Sequence, residues 1–377
     1  MSAQVMYHPQ VAAARNLAAA LPAARIHFDP ISENGFFAAL KAKVDAYMTG
    51  KRPDGGLFVA GKAAFYLALA AALYLMALFA GFSGAVTLAF AVAAGVAAIL
   101  MAINAGHDGA HNIVSRHRWL NQAALNASFT LVGVDPDLWQ LRHAKSHHIF
   151  PNVNGCDIDI DSNVFLRLSP NHPRRWYQRW QHIYAPVLYA IVGFHSAFVQ
   201  DFQYLFKTEL ANLKNIRHKP TFYIAFFVRK IVYVTLVFVI PLIVLPFAWW
   251  QIVLGALLMN AVASFVFVSM LIGTHFAEEA AFPNPDETGA LGHDFATHAL
   301  VTSLDWNPQS RLAQFIAGGA NAHAAHHLFP HVSHRHYVPI SKMIEETARE
   351  FGIRYNRTTF LGLIRSHFAF LRRMGAG

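Results

Sequence analysis

The sequence predicts an all-α, polytopic membrane protein: four transmembrane helices in two hairpins, with a helical cytoplasmic cap carrying a two-metal site. Three observations predict it. Of 377 residues, 55% are hydrophobic and only 14% charged, against about 25% charged in soluble domains. Four runs without a charged residue, Ala63–Phe82, Gly84–Ile103, Ile231–Trp250 and Gln251–Ile272, each have about the 20 residues a helix needs to cross a bilayer. Histidine falls in three spaced clusters beside those runs: His107 and His111; His143, His147 and His148; His323, His326 and His327.

The elements follow in order. Residues 1–56 form an N-terminal region without the basic start, apolar stretch and small-residue cleavage site of a signal peptide, so the first apolar run serves as its own membrane signal. Residues 57–105 are the first hairpin, turned at Phe82-Ser83-Gly84. Residues 106–230 form a cytoplasmic and interfacial helical segment with the first two clusters. Within it Trp176 to Phe206 mixes aromatics with Arg179, Asp201 and Gln203, and reads as helices lying at the interface. Residues 231–273 are the second hairpin, whose runs meet near Trp249 and Trp250, suited to an interfacial aromatic belt. Residues 274–377 form the C-terminal region with the third cluster. Lys41 to Lys62, the basic residues from Arg116 to Lys230, and those from Arg311 to Arg373 all fall on one side of the two hairpins. The positive-inside rule makes that side, both termini included, cytoplasmic. Topology and chemistry agree, because every histidine cluster then lies on one membrane face.

The formal charge of +9 suits an anionic lipid surface. No basic stripe lies on a soluble domain, so no nucleic acid partner is expected. Cys156 is the single cysteine, which excludes an intramolecular disulfide and Cys-based zinc or iron–sulfur sites.

Neutral imidazole is a common ligand of iron, zinc and copper. Positions i and i+4 share a helix face, so His107/His111 and His143/His147 can each aim two rings at one point. With His275 at the end of the fourth run, the clusters offer nine nitrogen ligands, too many for one ion and suited to two. The zinc-protease pattern His-Glu-x-x-His is absent, and no Glu has His three positions later, which sets aside the carboxylate-bridged di-iron pattern. An imidazole-rich site favours redox iron. A metal-bound histidine gives its other N–H to an oxygen acceptor. Asp108, Asn152, Asp157, Asp159, Asp161, Asp305 and Asn321 are placed for that, with helix capping and turn formation as their alternative use. His8, His27, His172, His182, His195, His218 and His367 read as ordinary polar residues at a membrane surface. His331, His334 and His336 read as surface residues or neighbours of the ligands, and His117, His293 and His298 stay unassigned.

His107-Asp-Gly-Ala-His111, His143-x-x-x-His147-His148 and His323-x-x-His326-His327 resemble the three histidine boxes of integral-membrane fatty acid desaturases. The flanks extend the resemblance: Asn152 to Asp159 after the second box, and Asp305-Trp306, Gly318-Gly319-Ala-Asn321 and Leu328-Phe-Pro330 around the third, as in acyl-lipid and linoleoyl-CoA desaturases. His275 matches the extra ligand position. The resemblance implies a histidine-held non-haem di-iron centre and a cis double bond introduced with O2 and two external electrons. It implies an acyl-lipid or acyl-CoA substrate lying in a tunnel between the spans. The sequence departs from the family at two places. Many members acting near the carboxyl end have Gln where this chain has His323. His8-Pro9-Gln10 is not the His-Pro-Gly-Gly haem motif of fused members, so reductant is expected from a separate protein such as ferredoxin or cytochrome b5. The expected location is a bacterial inner membrane, with the site on the cytoplasmic face. A hydroxylase or ketolase of the same architecture, acting on a lipid, carotenoid or alkane, is the alternative. A metal-binding transporter fits less well, because the spans as read carry no buried charge along a path.

Overall fold

The computed structural model describes residues 26–29, 35–160 and 164–376. Asp161 and His8-Pro9-Gln10 lie outside the described residues. In chain order the helices are α1 (Phe36–Met48), α2 (Gly56–Phe79), α3 (Gly84–Ala110), α4 (Arg118–Leu131), α5 (Pro136–Arg142), α6 (Trp176–Leu205), α7 (Pro220–Val244) and α8 (Trp249–Thr274). There follow α9 (Phe295–Val301), α10 (Arg311–Ala317), α11 (His323–Leu328), α12 (Tyr337–Glu350) and α13 (Phe360–Ala376). Two parallel two-residue pairings, His27–Phe28 with Ala290–Leu291 and Asp305–Trp306 with Arg357–Thr358, are the sheet content of the described residues.

Five helices, α2, α3, α6, α7 and α8, have the length and apolarity to cross a membrane, so the chain is a polytopic helical membrane protein. Four correspond to the expected apolar runs. The fifth, α6, is one continuous 30-residue helical segment where short interfacial helices were expected. The run read as starting at Ile231 begins at Pro220, because proline suits a first helical turn and because Arg229 and Lys230 find acidic partners on other elements, Asp135 and Asp201. Lys62 is drawn into α2 in the same way and is 4% exposed. The spans therefore do carry buried charge, contrary to expectation, and each of these charges is paired or hydrogen-bonded.

Small residues and hydroxyls let the apolar helices approach closely, as membrane packing requires. A Cβ on Gly95 of α3 would meet Met259 of α8 at 2.6 Å. Tyr233 of α7 donates to Asn260 of α8 at 2.7 Å, and Ser264 of α8 accepts from the Gly193 amide of α6 at 2.9 Å. Beyond the apolar helices, α1, α9, α11 and α12 bury a common core of Phe36, Leu40, Leu300, Leu328, Ile340 and Ile344. That core holds the third cluster in place from behind. α10 ends at Gly318, whose φ of 59° is left-handed and where an added Cβ would lie 2.7 Å from the Ile103 carbonyl. Only glycine lets the loop before α11 lie against the end of α3.

Candidate metal centre

Two five-residue π turns position the first two clusters. Ala102–Gly106 widens α3 just before His107, and the turn His143–His147 continues α5. The third cluster rides on α11, and His275 follows α8 directly. These segments converge so that the ligand atoms of His107, His111, His143 and His326 lie within 4.8 Å of one another, as do those of His147, His275, His323 and His327. His148 stands between the quartets. Its Nε2 is 3.0 Å from His143 Nε2, and its ring stacks on that of His327 with centroids 4.5 Å apart. All nine expected histidines are thus brought together.

The pairing departs from expectation in one respect. His107 and His111 do share a quartet, but His143 and His147 face different ones, because the π turn adds a residue to the loop that i,i+4 reasoning assumes. Neighbours are split likewise: His326 serves one quartet and His327 the other.

Burial drives these imidazoles neutral. It pushes His111 and His275 down to about 3, and His143, His148, His323, His326 and His327 well below their ordinary range. His147 is the exception: burial pulls it down, but the Asp157 carboxylate outweighs burial and raises it to about 9. Ring nitrogens confront each other without enough protons to go round. His107 Nε2 lies 3.1 Å from both His143 Nε2 and His326 Nε2. His275 donates through Nδ1 to the Thr302 carbonyl at 2.8 Å, which leaves its Nε2 a bare lone pair 2.8 Å from His323 Nε2 and 3.1 Å from His327 Nε2. His111 Nε2 is buried with no partner at all. Converging neutral nitrogens of this kind match the donor set of a divalent transition metal, and the residues fit two ions.

The acidic neighbours divide by role. Asp157, fully buried, accepts from His147 Nδ1 at 3.1 Å and from the Asn152 and Asp159 amides at 2.9 Å. Asp159 lies 3.6 Å from the same His147 nitrogen. Asn152 donates to the His275 and Ala281 carbonyls, tying the second cluster to the end of α8. Asp108 sits 4.0 Å from His107 Nδ1 and accepts from His334 Nδ1 at 2.9 Å and Ser333 Oγ at 3.1 Å. Lys62 donates to the far nitrogen of His334 at 3.2 Å. Asp305 and Asn321 touch no histidine ring. Asp305, which burial pushes up to about 7, accepts from the Ala324 amide at 2.9 Å and from the Tyr355 hydroxyl at 2.5 Å, so it caps α11. Asn321 donates to the Asn307 carbonyl and shapes the turn before α11.

Sequence reasoning left His334 loosely placed and missed the Thr302 carbonyl. A backbone acceptor leaves no mark in the sequence, and His334 holds no regular spacing to the box it supports. Among histidines expected at a membrane surface, His172 and His367 are instead buried, hydrogen-bonded to Asn154 and to Tyr189 with the Phe276 carbonyl. His293 and His298 pair with each other, His336 bonds the Arg52 carbonyl, and His117 and His331 are exposed.

Between α2, α3, α7 and α8 lies an apolar cavity of about 640 Å³, walled by residues such as Ala70, Ala91, Leu236 and Met259. Its wall on α3 reaches Ala98, nine residues or roughly 13 Å of helix from His107.

A family model described as fatty acid desaturase matches residues 82–359, a span that contains all nine converging histidines. The chain belongs to the fatty acid desaturase family. It is 30% identical over 363 residues to an acyl-lipid (8-3)-desaturase of Physcomitrium patens, covering 93% of this chain and 74% of the relative. It is 28% identical to an sn-1 linoleoyl-lipid 6-desaturase of Synechocystis sp., covering 94% of this chain and 99% of the relative. A second sn-1 linoleoyl-lipid 6-desaturase, from Arthrospira platensis, is 28% identical over 71% of this chain and 72% of its own length. The desaturase is thus an oxidoreductase acting on fatty acyl chains, and the converging histidines lie within the span that matches its family.

Proposed function

We propose that this desaturase introduces a cis double bond into the acyl chain of a lipid, using two irons held by His107, His111, His143, His148 and His326 on one side and by His147, His275, His323 and His327 on the other. The observation that carries the reading is the pair of interlocked imidazole quartets, neutral apart from His147, close-packed and short of protons. Iron bound there, with O2, supplies an oxidant strong enough to take hydrogen from an unactivated methylene. The balance is fixed: the acyl chain loses two hydrogens, O2 becomes two waters, and a separate donor of the ferredoxin or cytochrome b5 class provides two electrons alongside two protons from water. The chain's own residues hold and exclude. Asp157 fixes the tautomer and aim of His147, Asn152 holds the His275 segment, and Asp108 with His334 steadies the His107 turn. The apolar cavity between the helices takes the methyl end of the acyl chain and keeps water from it. The names of the relatives support an acyl-lipid substrate over an acyl-CoA.

The architecture we propose is four crossings in two hairpins, with residues 1–56, 106–230 and 274–377 on the cytoplasmic side of a bacterial inner membrane. Histidines at the end of α3 and at the end of α8 meet in one site, so the chain between them crosses an even number of times. α7 and α8 make two crossings, and a full crossing by α6 would make three. α6 therefore remains on the site's face, tethered by Asp201 to Lys230 and to the Asp135 amide, both at 2.7 Å. The Lys/Arg asymmetry supports calling that face cytoplasmic.

The test is product analysis with labelled O2 and a defined acyl-lipid, alongside metal analysis. A product two hydrogens lighter and free of label, from protein with about two irons per chain, is expected. A labelled oxygen in the product points to a hydroxylase, and active protein holding one zinc and no iron removes the di-iron reading.

A further inference from the structure

Around the loop that follows His111 lies a second cavity, of about 450 Å³, lined by polar residues. Its lining includes Arg116 and Arg118 with Asn112, Gln122 and Gln140. The wall is a fixed structure. Asn121, 2% exposed, accepts from the Ser115 amide at 3.0 Å and donates to the Ser115 carbonyl at 2.7 Å. That reciprocal pair folds the loop 112–117 back onto the first turn of α4. The same loop is pinned from below by the Gly55 and Gly56 amides, which donate to the Ile113 and Val114 carbonyls. Asn112 holds a left-handed φ of 59°, and Gln140 donates to the Ala110 carbonyl.

Among the described residues no carboxylate lies within ion-pair distance of Arg116 or Arg118, so neither charge is neutralised at the cavity, unlike the nearby Arg142, which faces Asp159 at 3.8 Å. Arg116 gives its Nε–H to His117 Nε2 at 3.3 Å and keeps its terminal N–H groups; with Arg118 and the side-chain amides of Asn112 and Gln122 it can receive a phosphate, since the planar fork of arginine suits its oxygens. The cavity is joined to the metal centre through the chain. Asn112 follows His111 directly, and Gln140 precedes His143 by three residues, less than one helical turn. Trp119, next to Arg118, is 69% exposed, as tryptophan is where a protein meets lipid headgroups. That favours a membrane lipid over a soluble protein as the occupant.

We infer that this cavity receives the phosphate of a phosphate-bearing acyl substrate, anchoring the head of the molecule within about one helical turn of the metal-binding histidines. The inference rests on the desaturase reading for its use but not for its binding chemistry, which phospholipids and acyl-CoA share.

The experiment reads binding apart from turnover. Purified full-length protein is offered an equimolar mixture of phosphatidylglycerol and monogalactosyl diacylglycerol with identical acyl chains, and retained lipid is counted by native mass spectrometry. A parallel arm adds oleoyl-CoA as competitor. Wild type is expected to prefer the phospholipid, and R116Q/R118Q to lower the ratio of phospholipid to galactolipid at least tenfold. R116K/R118K should restore part of the preference lost in R116Q/R118Q, because charge still attracts phosphate while the bidentate contact is gone. Displacement of phosphatidylglycerol by oleoyl-CoA identifies the thioester as a shared occupant, and its absence identifies the lipid headgroup. The melting midpoint in detergent checks the fold, and the single variants R116Q and R118Q, each expected to lower the ratio severalfold, serve if the double variant does not fold. Equal retention of both lipids by wild type, or a ratio unchanged in every Gln variant, overturns the inference. So does a loss confined to affinity for an acidic electron donor such as ferredoxin. Phospholipid preference in a protein that desaturates no acyl chain would leave the cavity reading standing and remove the proposed function.

Discussion

At Asp157 a single buried carboxylate serves His147 Nδ1 and the amides of Asn152 and Asp159. Every one of its partners is a donor, so Asp157→Asn turns an acceptor into a competing N–H2 at a place with no acceptor for it. Outer partners of this kind are worth 10- to 100-fold in metal affinity. Asp157→Asn is therefore expected to lose iron at least tenfold faster to a chelator and to lose activity in step, with its helix content intact. Unchanged iron retention would reduce Asp157 to a loop tie. His367 makes a separate prediction about acid. Its Nδ1–H donates to the Phe276 carbonyl and its Nε2 accepts from the Tyr189 hydroxyl, and burial holds it down to about 4. The folded state thus resists a proton that the unfolded chain takes up near pH 6.5. Stability from this group is complete above pH 6.5, drains away as pH falls toward 4, and is lost by about 2 kcal/mol at pH 5. His367→Gln should flatten that part of the pH dependence of the melting midpoint, and an identical slope in the variant would assign acid sensitivity elsewhere.

Among the elements, α7 is held to α6 and to the loop before α5 by charge. Lys230 Nζ donates to Asp201 and to the carbonyls of Gly133 and Ala197, while Arg229 joins Asp135 and Asp137. Removing one partner of such a buried pair leaves an uncompensated charge and costs about 3–5 kcal/mol. Lys230→Met should lower the unfolding midpoint sharply, and the double variant Asp201→Asn/Lys230→Met should recover much of the loss. Additive losses would mean the pair is not coupled. The same charges explain how far the elements were legible in the sequence. Apolar runs betray helices by the absence of charge, so the cores of α2, α3, α7 and α8 were plain. Their ends were not, because Lys62, Arg229 and Lys230 look like boundaries until their distant partners are known. The histidine set was legible for a similar reason: spacing is written in sequence. How it divides between the quartets was not, since the π turn at His143–His147 leaves no compositional trace. Asp305 shows the same limit, its position beside a box being equally suited to a ligand partner or a helix cap.

On the scale of the whole molecule, the proposed topology makes α6 the decisive segment. Single cysteines at Ser83 and Ala248 should react with an impermeant thiol reagent only from outside the cell, and cysteines at Arg175 and Arg217 only from inside, all on a Cys156→Ser background. Labelling of positions 175 and 217 from opposite faces would give α6 a full crossing and end the even-crossing argument. The split of His326 and His327 between the two quartets also has a consequence for how the enzyme comes into being. In the proposed two-iron site each ion would be clasped partly by a segment that the other ion also needs, so filling one position would set the scaffold for its neighbour. Occupancy is then expected to be cooperative, rising sigmoidally when purified apoprotein is titrated with ferrous ion, and a hyperbolic rise would remove the coupling. Because the last donors lie on α11, a nascent chain has no complete seat for either ion until most of it has been translated. On that reading maturation is a single late event, and a half-loaded enzyme is expected to be a rare species.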